Sequence, residues 1–261
     1  MNPALLVSKT GLQAQEAKLQ VIAHNLANVN TVGFKRNSAA FEDQFYEIAR
    51  MPGSNSQGDN RVPAGVQLGT GVRLASTHKQ FTEGSLQNTS QQLDVAIVGN
   101  GFLQVLQANG DTAYTRAGQL QVDNEGRLVN ANGLPLQPEI TIPEGAKSVT
   151  ISATGLVSAM VGTDATPREL GTLQLATFVN PAGLQAQGDN LYLVTQASGD
   201  AVLGAPGEAG FGTLRQYALE SSNVQAVEEM VDMISAQRSY EMSTKVLSAA
   251  DDMMRNLAQA A

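Results

Sequence analysis

The sequence predicts an α+β protein in which a long helix at each end of the chain flanks a central region of short β-strands. Three observations support this architecture. Glycine and proline are concentrated between about residues 52 and 212, whereas the stretch 214–261 contains no glycine. Both ends carry apolar residues at helical spacing, and the middle shows short apolar runs separated by turn residues. We therefore expect a discontinuous helical inner domain built from both termini, with an all-β domain inserted into it.

The N-terminal helix carries apolar residues on two of its faces. Leucines recur every seven residues, and further apolar residues follow two of them by three positions, which indicates a coiled-coil seam. A second series with the same spacing is offset by two residues, which places it about 200° around the helix. A helix that covers a single core needs one apolar face, so this helix is expected to contact neighbours on two sides. The seam consists of Leu5, Leu12, Leu19, Ile22, Leu26 and Val29, and the second face consists of Val7, Ala14 and Val21.

The C-terminal helix is predicted to begin near Ser222, where Ser222 and Gln225 form a capping-box pattern ahead of an apolar run. Large apolar residues recur every seven positions along it, and small residues follow most of them by three, so that a neighbouring helix can approach closely. The face about 200° away is mainly polar and is expected to border water. The seam consists of Met233, Tyr240, Leu247, Met254 and Leu257, and the polar face carries Arg238, Lys245 and Asp252.

Two helices of this size are not expected to fold as an isolated pair. The apolar area of one seam contributes much less free energy than the conformational entropy that is lost when both helices become ordered. We therefore expect the termini to become ordered only against neighbouring copies, which would supply the missing buried area. The alternative is an ordinary α+β protein whose two helices pack on its own β domain, and the periodicity does not decide between the two.

The central region is predicted to consist of short strands. Residues 94–98 and 102–106 are β-rich runs on either side of Gly99-Asn100-Gly101, which predicts a hairpin. Turn signals continue at roughly ten-residue spacing, as is typical of a β-sandwich, a barrel or a folded ribbon. Further strands are expected at 119–122, 127–129, 148–151, 173–179 and 191–194.

Residues 51–71 form a polar segment rich in glycine, proline, serine and asparagine. Such a composition is typical of a flexible linker. The segment is nevertheless long for a structureless connection inside a compact protein, and long loops of that kind are usually functional or disordered. The composition is therefore compatible with a linker and with a contact segment.

Composition also argues against several classes of function. The 24 acidic and 16 basic residues give a net charge of −8, which leaves no basic patch for a nucleic-acid partner. The chain has no cysteine, and His24 and His78 are its two histidines, so a zinc site is not expected. Dinucleotide, nucleophile-elbow and phosphate-loop motifs are absent, so neither a cofactor nor a catalytic site is predicted. A hydrolase with two paired carboxylates stays open, because any β domain can bring two acids together.

The N-terminal sequence lacks the basic start and the continuous apolar run of a secretory signal. No apolar stretch reaches the 18 residues that a membrane-spanning helix needs. We therefore expect neither a cleaved signal peptide nor a transmembrane segment. A chain without cysteine tolerates oxidising and reducing compartments alike, so composition does not decide the compartment.

The stretch that closes the N-terminal helix has a recognisable pattern. It includes Asn25, Leu26, Ala27, Asn28, Thr31, Gly33, Phe34 and Lys35. Asparagine and threonine end the helix, the glycine permits a turn, and the phenylalanine anchors the chain as it leaves. The stretch resembles the N-terminal signature of the flagellar rod and hook proteins, the flagellar axial family. His24 stands where that family usually has asparagine.

Further stretches match the same family in the same order along the chain. Leu103 and Leu120 stand where aromatic residues are common in the family, which affects packing more than identity. Together the motifs cover nearly the whole chain, which is identified by this resemblance as a member of the axial family. The matching stretches are 94–97 with 101–102, 114–118, 188–192, 221–224 and 237–241.

The resemblance implies a structural function and not an enzyme. It implies a homo-oligomer, a helical tube in the flagellar basal body that spans the periplasm and contacts proximal rod proteins, the hook protein and the surrounding rings. It also implies passage through the flagellar type III export apparatus without a cleaved signal peptide. Residues 1–45 and 221–261 would form the inner polymerisation domain, 46–72 would lie between subunits, and 73–220 would form the outer β domain. The polar face of the C-terminal helix would then line the lumen.

Within the family, the length of the chain excludes the hook protein, which carries an additional outer domain. Residues 41–53 and the polar segment after them resemble the distal rod members, and the proximal rod members are the alternative. A more remote alternative is a trimeric adhesin or a phage-tail fibre. Such proteins share glycine-rich β structure and helical ends with this chain but not the motifs at both termini.

Overall fold

The computed structural model describes residues 3–53, 63–162 and 166–260. It has a long helix at each end and short strands between them, which confirms the predicted α+β class with a central β region. The helices are α1 (Pro3–Ala27) and α2 (Ala226–Ala260). The strands of the described residues are β1 (Asn37–Asp43), β2 (Tyr46–Arg50), β3 (Val66–Gly69), β4 (Val72–Lys79), β5 (Leu86–Asn88), β6 (Val95–Val98), β7 (Leu103–Leu106), β8 (Thr112–Thr115), β9 (Leu120–Val122), β10 (Leu128–Asn130), β11 (Leu136–Gln137), β12 (Ala146–Ile151), β13 (Leu156–Val161), β14 (Arg168–Thr172), β15 (Leu175–Thr177), β16 (Gln185–Gly188), β17 (Leu191–Leu193), β18 (Val202–Gly204), β19 (Thr213–Gln216) and β20 (Ala218–Glu220).

The chain divides into two compact units, each built from segments that are distant in sequence. The first unit contains Met1–Leu26, Asn37–His78 and Gln225–Ala261. The second unit contains Ala27–Arg36 and Lys79–Val224. The segment that leaves α1 and the segment that leads into α2 therefore both belong to the second unit.

In the first unit, two strand pairs accompany the helices. β1 pairs with β4, and β2 pairs with β3 in an antiparallel hairpin that places Tyr46 opposite Gly69 and Ile48 opposite Gln67. A bulge interrupts this hairpin between Ile48 and Arg50. Every residue of β2 and β3 is exposed to solvent. A two-stranded ribbon without a buried face is marginally stable by itself, and the described residues of the first unit do not bury either face of this hairpin.

The second unit consists of antiparallel sheets around an apolar core. Among the described residues, its five-stranded sheet has the order β11-β7-β8-β17-β16, and β12, β13 and β14 form a three-stranded meander. The pairs β5–β20, β6–β19, β9–β10 and β15–β18 complete the unit. β6 and β19 lie near opposite ends of the unit in sequence, and Ile97 faces Leu214 across that pair. Both side chains are buried in the core, so the core closes only when both ends of the unit are in place.

Aromatic side chains form a second cluster in the same unit. Phe81, Phe102, Tyr114, Phe178 and Tyr192 contact one another edge to face, with ring centroids 4.9 to 5.9 Å apart. This geometry places the positive edge of one ring against the negative face of another. Residues from three of the matched motifs are therefore used to pack the interior of the unit.

The predicted hairpin around Gly99-Asn100-Gly101 is wrong. β6 pairs with β19, whereas β7 pairs with β8 and β11. The carbonyls of Ile97, Gly99 and Gly101 accept hydrogen bonds from the guanidinium of Arg116, at 3.4, 3.1 and 3.2 Å. These carbonyls bind the side chain of Arg116, the residue that follows β8. The chain therefore runs around the guanidinium instead of making a tight turn.

Several of the other predicted strands are confirmed. The stretches 119–122, 148–151 and 191–194 correspond to β9, β12 and β17. The predicted strand at 127–129 corresponds to β10, which pairs with β9. The stretch 173–179 contains a shorter strand than predicted, because only its central three residues belong to β15.

Candidate assembly site

Both apolar faces of α1 remain partly exposed in a single copy of the chain. Of the six seam residues, Ile22 is buried, with 4% exposure, and the other five are half-buried. On the second face, Val7 is 39% exposed, Ala14 is buried and Val21 is half-buried. Leu6 adds a further exposed apolar side chain. α1 therefore keeps apolar area that a single copy does not cover.

The predicted seam of α2 is only partly covered within one copy. Met233 and Leu247 are half-buried. Tyr240 and Met254 are 41% and 43% exposed. The side chain of Leu257 lies outside the described part of the structure. The large residues of this seam therefore also retain apolar surface.

The opposite face of α2 carries more apolar surface than its heptad spacing indicates. Arg238, Lys245 and Asp252 are exposed there. Large apolar side chains within about 80° of Arg238 around the helix are exposed as well. An exposed apolar stripe of this length is typical of a protein–protein contact. We call it the second stripe of α2, and it consists of Val227 (71% exposed), Val231 (61%), Ile234 (52%), Met242 (59%) and Val246 (55%).

α2 begins at Ala226, and the predicted capping box at its start is not formed. Ser222 Oγ accepts a hydrogen bond from the backbone N–H of Val224 at 3.2 Å, so its hydroxyl closes a local turn before the helix. The first helical turn contains Glu228 and Glu229. Their negative charges suit the positive end of the helix dipole and replace part of the expected cap.

Asn25 ties the end of α1 to other elements of the first unit. Its Nδ2 donates to the carbonyl of Asn37 at 2.9 Å and to Glu229 Oε1 at 3.3 Å. Its Oδ1 accepts from the backbone N–H of Asn37 at 2.8 Å. Only an amide both donates and accepts in this way, and the side chain is 1% exposed. The first asparagine of the signature therefore links α1, β1 and α2.

A tight turn leads the chain out of α1. The N–H of Thr31 donates to the carbonyl of Asn28, and Thr31 Oγ1 donates to Asn28 Oδ1, both at 3.1 Å. Gly33 follows with a φ of +70°. A Cβ on Gly33 would lie 2.8 Å from Ala117 N and from Arg116 C. Glycine is therefore required both by the backbone conformation and by the close approach of two backbones.

We expect Gly33→Ala to destabilise the second unit by about 2–4 kcal/mol, because the substitution combines an unfavourable φ with a clash against backbone. Gly110→Ala is a matched control. Its φ is +88°, but no heavy atom lies within 4 Å of the added Cβ. It should therefore cost only about 1 kcal/mol. Urea unfolding followed by circular dichroism measures both values, and equal losses would show that the close approach at Gly33 is unimportant.

Lys35, Arg116 and Glu220 form a buried ion cluster in the second unit. Their side chains are 0%, 2% and 1% exposed. Lys35 Nζ lies 2.7 Å from Glu220 Oε1, and Arg116 Nε lies 2.8 Å from Glu220 Oε2. The N–H of Gly84 donates to Oε1 at 3.0 Å, and the N–H of Gly33 donates to the Glu220 carbonyl at 2.8 Å. Glu220 therefore binds three other segments of the chain.

The pKa shifts in this cluster follow from burial and charge. Burial alone raises the pKa of Glu220, but the charges and hydrogen bonds of Arg116 and Lys35 outweigh it and hold that pKa below its ordinary value. Burial and the charge of Arg116 lower the pKa of Lys35, and Glu220 offsets part of this effect. Buried charges are tolerated when they are paired and hydrogen-bonded. The cluster thus places one carboxylate between an amino group and a guanidinium group.

The turn between β16 and β17 also contacts the exit of α1. Asn190 adopts a left-handed φ of 57°, and its Nδ2 donates to the carbonyl of Val32 at 3.0 Å. The ammonium of Lys79 lies 4.9 Å from the ring centroid of Phe34 and 5.8 Å from that of Tyr192. Such cation–π contacts stabilise a lysine that is partly removed from water. The signature and the 188–192 motif therefore meet in space.

The motifs contained two members of the ion cluster but did not indicate the third. Lys35 belongs to the signature, and Arg116 belongs to the 114–118 motif. Glu220 lies at the end of β20, in which all three residues are buried. An acidic residue that ends a buried strand requires a buried partner, because unpaired carboxylates are rarely buried. No strand was predicted at 218–220, so the local sequence gave no indication that Glu220 is buried.

The described residues also bear on metal binding and membrane insertion. Within the described ranges, no group of three or more histidine, aspartate or glutamate side chains is placed to hold a metal ion. Neither of the two described helices combines the length and the apolar character that a membrane crossing requires. His78 is exposed on β4.

Three family models match separate parts of the chain. Residues 5–35 match the model of the flagella basal body rod protein. Residues 96–159 match the D1 domain of the flagellar hook protein FlgE/F/G, and residues 215–260 match the C-terminal part of the flagellar basal body rod FlgEFG protein. Lys35, Arg116 and Glu220 therefore each lie in a different matched region.

Relatives are similar over the full length of the chain. The flagellar basal-body rod protein FlgG of Buchnera aphidicola (subsp. Acyrthosiphon pisum) is 46% identical over 259 residues, which cover 99% of this chain and 100% of that protein. FlgG of Caulobacter vibrioides is 46% identical over 257 residues, 98% of each chain. The flagellar hook-basal body complex protein FlhP of Bacillus subtilis is 30% identical over 269 residues, 97% of each chain. The similarity thus includes both helices and the strands between them.

Proposed function

The chain belongs to the flagellar basal-body rod protein family, and we propose that it is a structural subunit of the distal rod that assembles with further copies of itself into a rigid, hollow drive shaft. The shaft transmits torque to the hook and lets exported substrates pass through its bore. The full-length identity of 46% to FlgG proteins supports the assignment to the distal rod. The exposed apolar faces of both terminal helices support self-assembly.

Self-assembly rests on the apolar surface that one copy leaves uncovered on its long helices. Val7 on α1 is 39% exposed, and Val231 and Val246 on α2 are 61% and 55% exposed. Each apolar side chain that becomes fully buried contributes about 1.5–3 kcal/mol. A helical assembly requires contacts between different surfaces of adjacent copies. Helices with two apolar faces supply such surfaces.

Domain roles and partners follow from the same proposal. Residues 1–45 and 221–261 form the inner polymerisation domain, residues 73–220 form the outer β domain, and residues 46–72 lie between subunits. Membership in the family places the chain in the flagellar basal body. We further propose that it spans the periplasm, contacts the proximal rod proteins, the hook protein and the surrounding rings, and leaves the cell through the type III apparatus without a cleaved signal peptide.

Completion of the rod in cells tests this function. Basal bodies purified from cells that lack the chain should end before the distal rod and carry no hook, and expression of the chain should restore both. Complete hook–basal bodies in its absence would reject the proposal.

We also propose that the chain has no catalytic role, in keeping with a family of structural proteins.

We propose that the β2–β3 hairpin contacts a neighbouring subunit and stiffens the shaft. Tyr46, Ile48 and Leu68 are 54%, 50% and 51% exposed on a ribbon without a buried face. The hypothesis that the whole polar segment becomes ordered between subunits also involves residues 54–62, which lie outside the described residues. The proposal therefore rests on the two strands alone.

Ile48→Lys should give rods that bend more easily, with a persistence length shorter by roughly a factor of two, because a charge replaces an apolar contact between subunits. Glu47→Lys on the same strand is the control and should leave the stiffness near that of the wild type. Persistence length is measured from micrographs of assembled rods. Equal stiffness of the Ile48→Lys and wild-type rods would show that the hairpin does not stiffen the shaft and would favour a linker role.

We propose that the polar face of α2, which carries Arg238, Lys245 and Asp252, borders the lumen. Arg238, Lys245 and Asp252 are exposed in a single copy. Unfolded export substrates adhere to exposed apolar surface but slide past hydrated side chains. Val227 and Val231, at the other end of the helix, are suited to a contact with a neighbouring copy. In the alternative arrangement, Arg238 and Lys245 pair with acids of neighbouring copies.

Lys245→Cys in an assembled rod should react with a small maleimide that diffuses along the bore, whereas Tyr240→Cys should be protected in the wall. The chain contains no other cysteine, so the background is clean. Both positions are exposed in the single copy, and both variants should react before assembly. Protection of Lys245→Cys together with labelling of Tyr240→Cys in rods would reverse the proposed orientation of α2.

A further inference from the structure

The two segments that connect the helices to the second unit meet inside that unit. One is Ala27–Arg36, which leaves α1, and the other is 217–224, which leads into α2. Glu220 accepts a hydrogen bond from Lys35 Nζ through Oε1 and one from the N–H of Gly33 through its main-chain carbonyl, at 2.7 and 2.8 Å. A single residue of one segment therefore holds the other segment by its side chain and by its main chain.

Asn223 supplies a second, uncharged connection between the same segments. Its Oδ1 accepts from the N–H of Arg36 at 2.7 Å. Its Nδ2 donates to the carbonyl of Gln80 and to Thr82 Oγ1, both at 2.8 Å. The carbonyl of Thr82 in turn accepts from Lys35 Nζ. The chain around Gln80 and Thr82 therefore contacts both connecting segments.

The charges make the docking of one segment depend on the other. If the segment with Glu220 were undocked, Lys35 and Arg116 would lose the carboxylate that both bind, and Glu83 would be the acidic side chain left to act on Lys35. If the segment with Lys35 were undocked, Glu220 would keep Arg116 and the N–H of Gly84 but lose one cation, and its main-chain carbonyl would lose its donor. Removing one partner of a buried ion pair costs more free energy than the pair itself contributes. Either half-docked state is therefore unfavourable.

The packing around the cluster gives the segments little freedom to adjust. A Cβ on Gly84 would collide with the carbonyl of Ser221, and a Cβ on Gly33 would lie 2.8 Å from the backbone of Arg116. Backbones this close must separate before water can reach an unpaired charge. An unpaired charge in the cluster is thus relieved by undocking and not by a small shift.

We propose that Lys35, Arg116 and Glu220 act as a charge lock, through which the second unit closes only when the segment after α1 and the segment before α2 are both docked. Loosening either segment loosens the other. The end of α1 and the start of α2 are each attached to one of these segments. The lock therefore fixes both attachment points in the single copy, before any contact between copies forms.

Hydrogen–deuterium exchange of the full-length chain tests this coupling. Glu220→Gln keeps the shape of the side chain but removes its charge, and it should speed exchange at least about tenfold in 27–36 as well as in 217–224. Lys35→Met should also speed exchange in 217–224. In the double variant, the loss of protection from exchange should be smaller than the sum of the losses in the two single variants. The reason is that Lys35→Met removes the cation that Glu220→Gln leaves unpaired.

Glu42→Gln is the matched control. Its carboxylate also pairs with an arginine at 2.8 Å, but Glu42 and Arg73 are 55% and 63% exposed. Exchange in both connecting segments should stay at the wild-type rate in this variant. Faster exchange confined to the segment that carries the substitution would contradict the charge lock. Additive losses of protection from exchange in the double variant would contradict it as well.

Asn223→Ala keeps the test decisive if Glu220→Gln does not fold. It removes the uncharged connection without leaving a charge unpaired. Because Asn223 binds the N–H of Arg36 directly, the coupling is measured at 27–35, where exchange should still become severalfold faster because the two segments undock together. Faster exchange at 217–224 with wild-type exchange at 27–35 would contradict the coupling.

Discussion

Leu12→Asp or Leu19→Asp should abolish rod assembly, while the second unit should still unfold cooperatively at its normal temperature. Both leucines lie on the seam of α1, which belongs to the first unit, and both are half-buried in a single copy. In the rod they would be enclosed by neighbouring copies, where a carboxylate costs several kcal/mol for each subunit, on the order of 2–7 kcal/mol. Electron microscopy shows whether rods form, and thermal unfolding of the purified chain measures the stability of the second unit.

Gln20→Asp is the control for this effect. Gln20 follows Leu19 directly but is exposed, so the same change in charge falls outside the seam. This variant should form rods of normal length. Normal rods from Leu12→Asp or Leu19→Asp would show that the leucine series is not a polymerisation seam. Failure of Gln20→Asp together with the seam variants would instead point to a general effect of charge on α1.

Arg116→Leu should destabilise the second unit by about 3–5 kcal/mol. The substitution leaves Glu220 with Lys35 as its one cationic partner, and it deprives the carbonyls of Ile97, Gly99 and Gly101 of their donor. Buried acceptors without a partner add to the loss. Urea unfolding of the full-length chain, followed by circular dichroism, measures the change.

Arg73→Leu provides the comparison for Arg116. Arg73 Nη2 lies 2.8 Å from Glu42 Oε2, but both side chains are more than half exposed. Exposed ion pairs contribute little, so this variant should lose less than about 1 kcal/mol. Similar losses for the two arginine variants would mean that the buried cluster contributes no more than a surface pair.

The terminal helices were predictable because their signal is local. The heptad series along α1 and the turn residues from Asn28 to Gly33 lie within a single stretch of chain, and the helix ends at Ala27. The β class was predictable for the same reason, from turn residues at regular spacing. Local signals, however, do not state which strand pairs with which.

Pairing over long distances in sequence accounts for what the local patterns missed. The loop at Gly99 was predicted as a hairpin turn because it contains two glycines, but its carbonyls bind Arg116, which lies 17 residues further along the chain. Glu220 reaches Arg116 across a separation of 104 residues and Lys35 across 185. No spacing rule within a helix or strand connects such positions.

The second stripe of α2 was underestimated because of the period used. A seven-residue count from Val231 selects Arg238, Lys245 and Asp252, and the face then looks polar. Residues three or four positions away lie on the same face, since a helix has 3.6 residues per turn. Val227 and Ile234 belong to the face by that rule and are 71% and 52% exposed.

Electron cryomicroscopy of the polymer formed by the purified chain tests self-assembly through the terminal helices. We predict a hollow helical tube in which Val7, Val231 and Val246 each lie within about 4.5 Å of an apolar side chain of a neighbouring copy. The side chains of Arg238, Lys245 and Asp252 should face the bore. Discrete monomers or trimers, with α1 and α2 folded against the β domain of their own chain, would contradict this assembly.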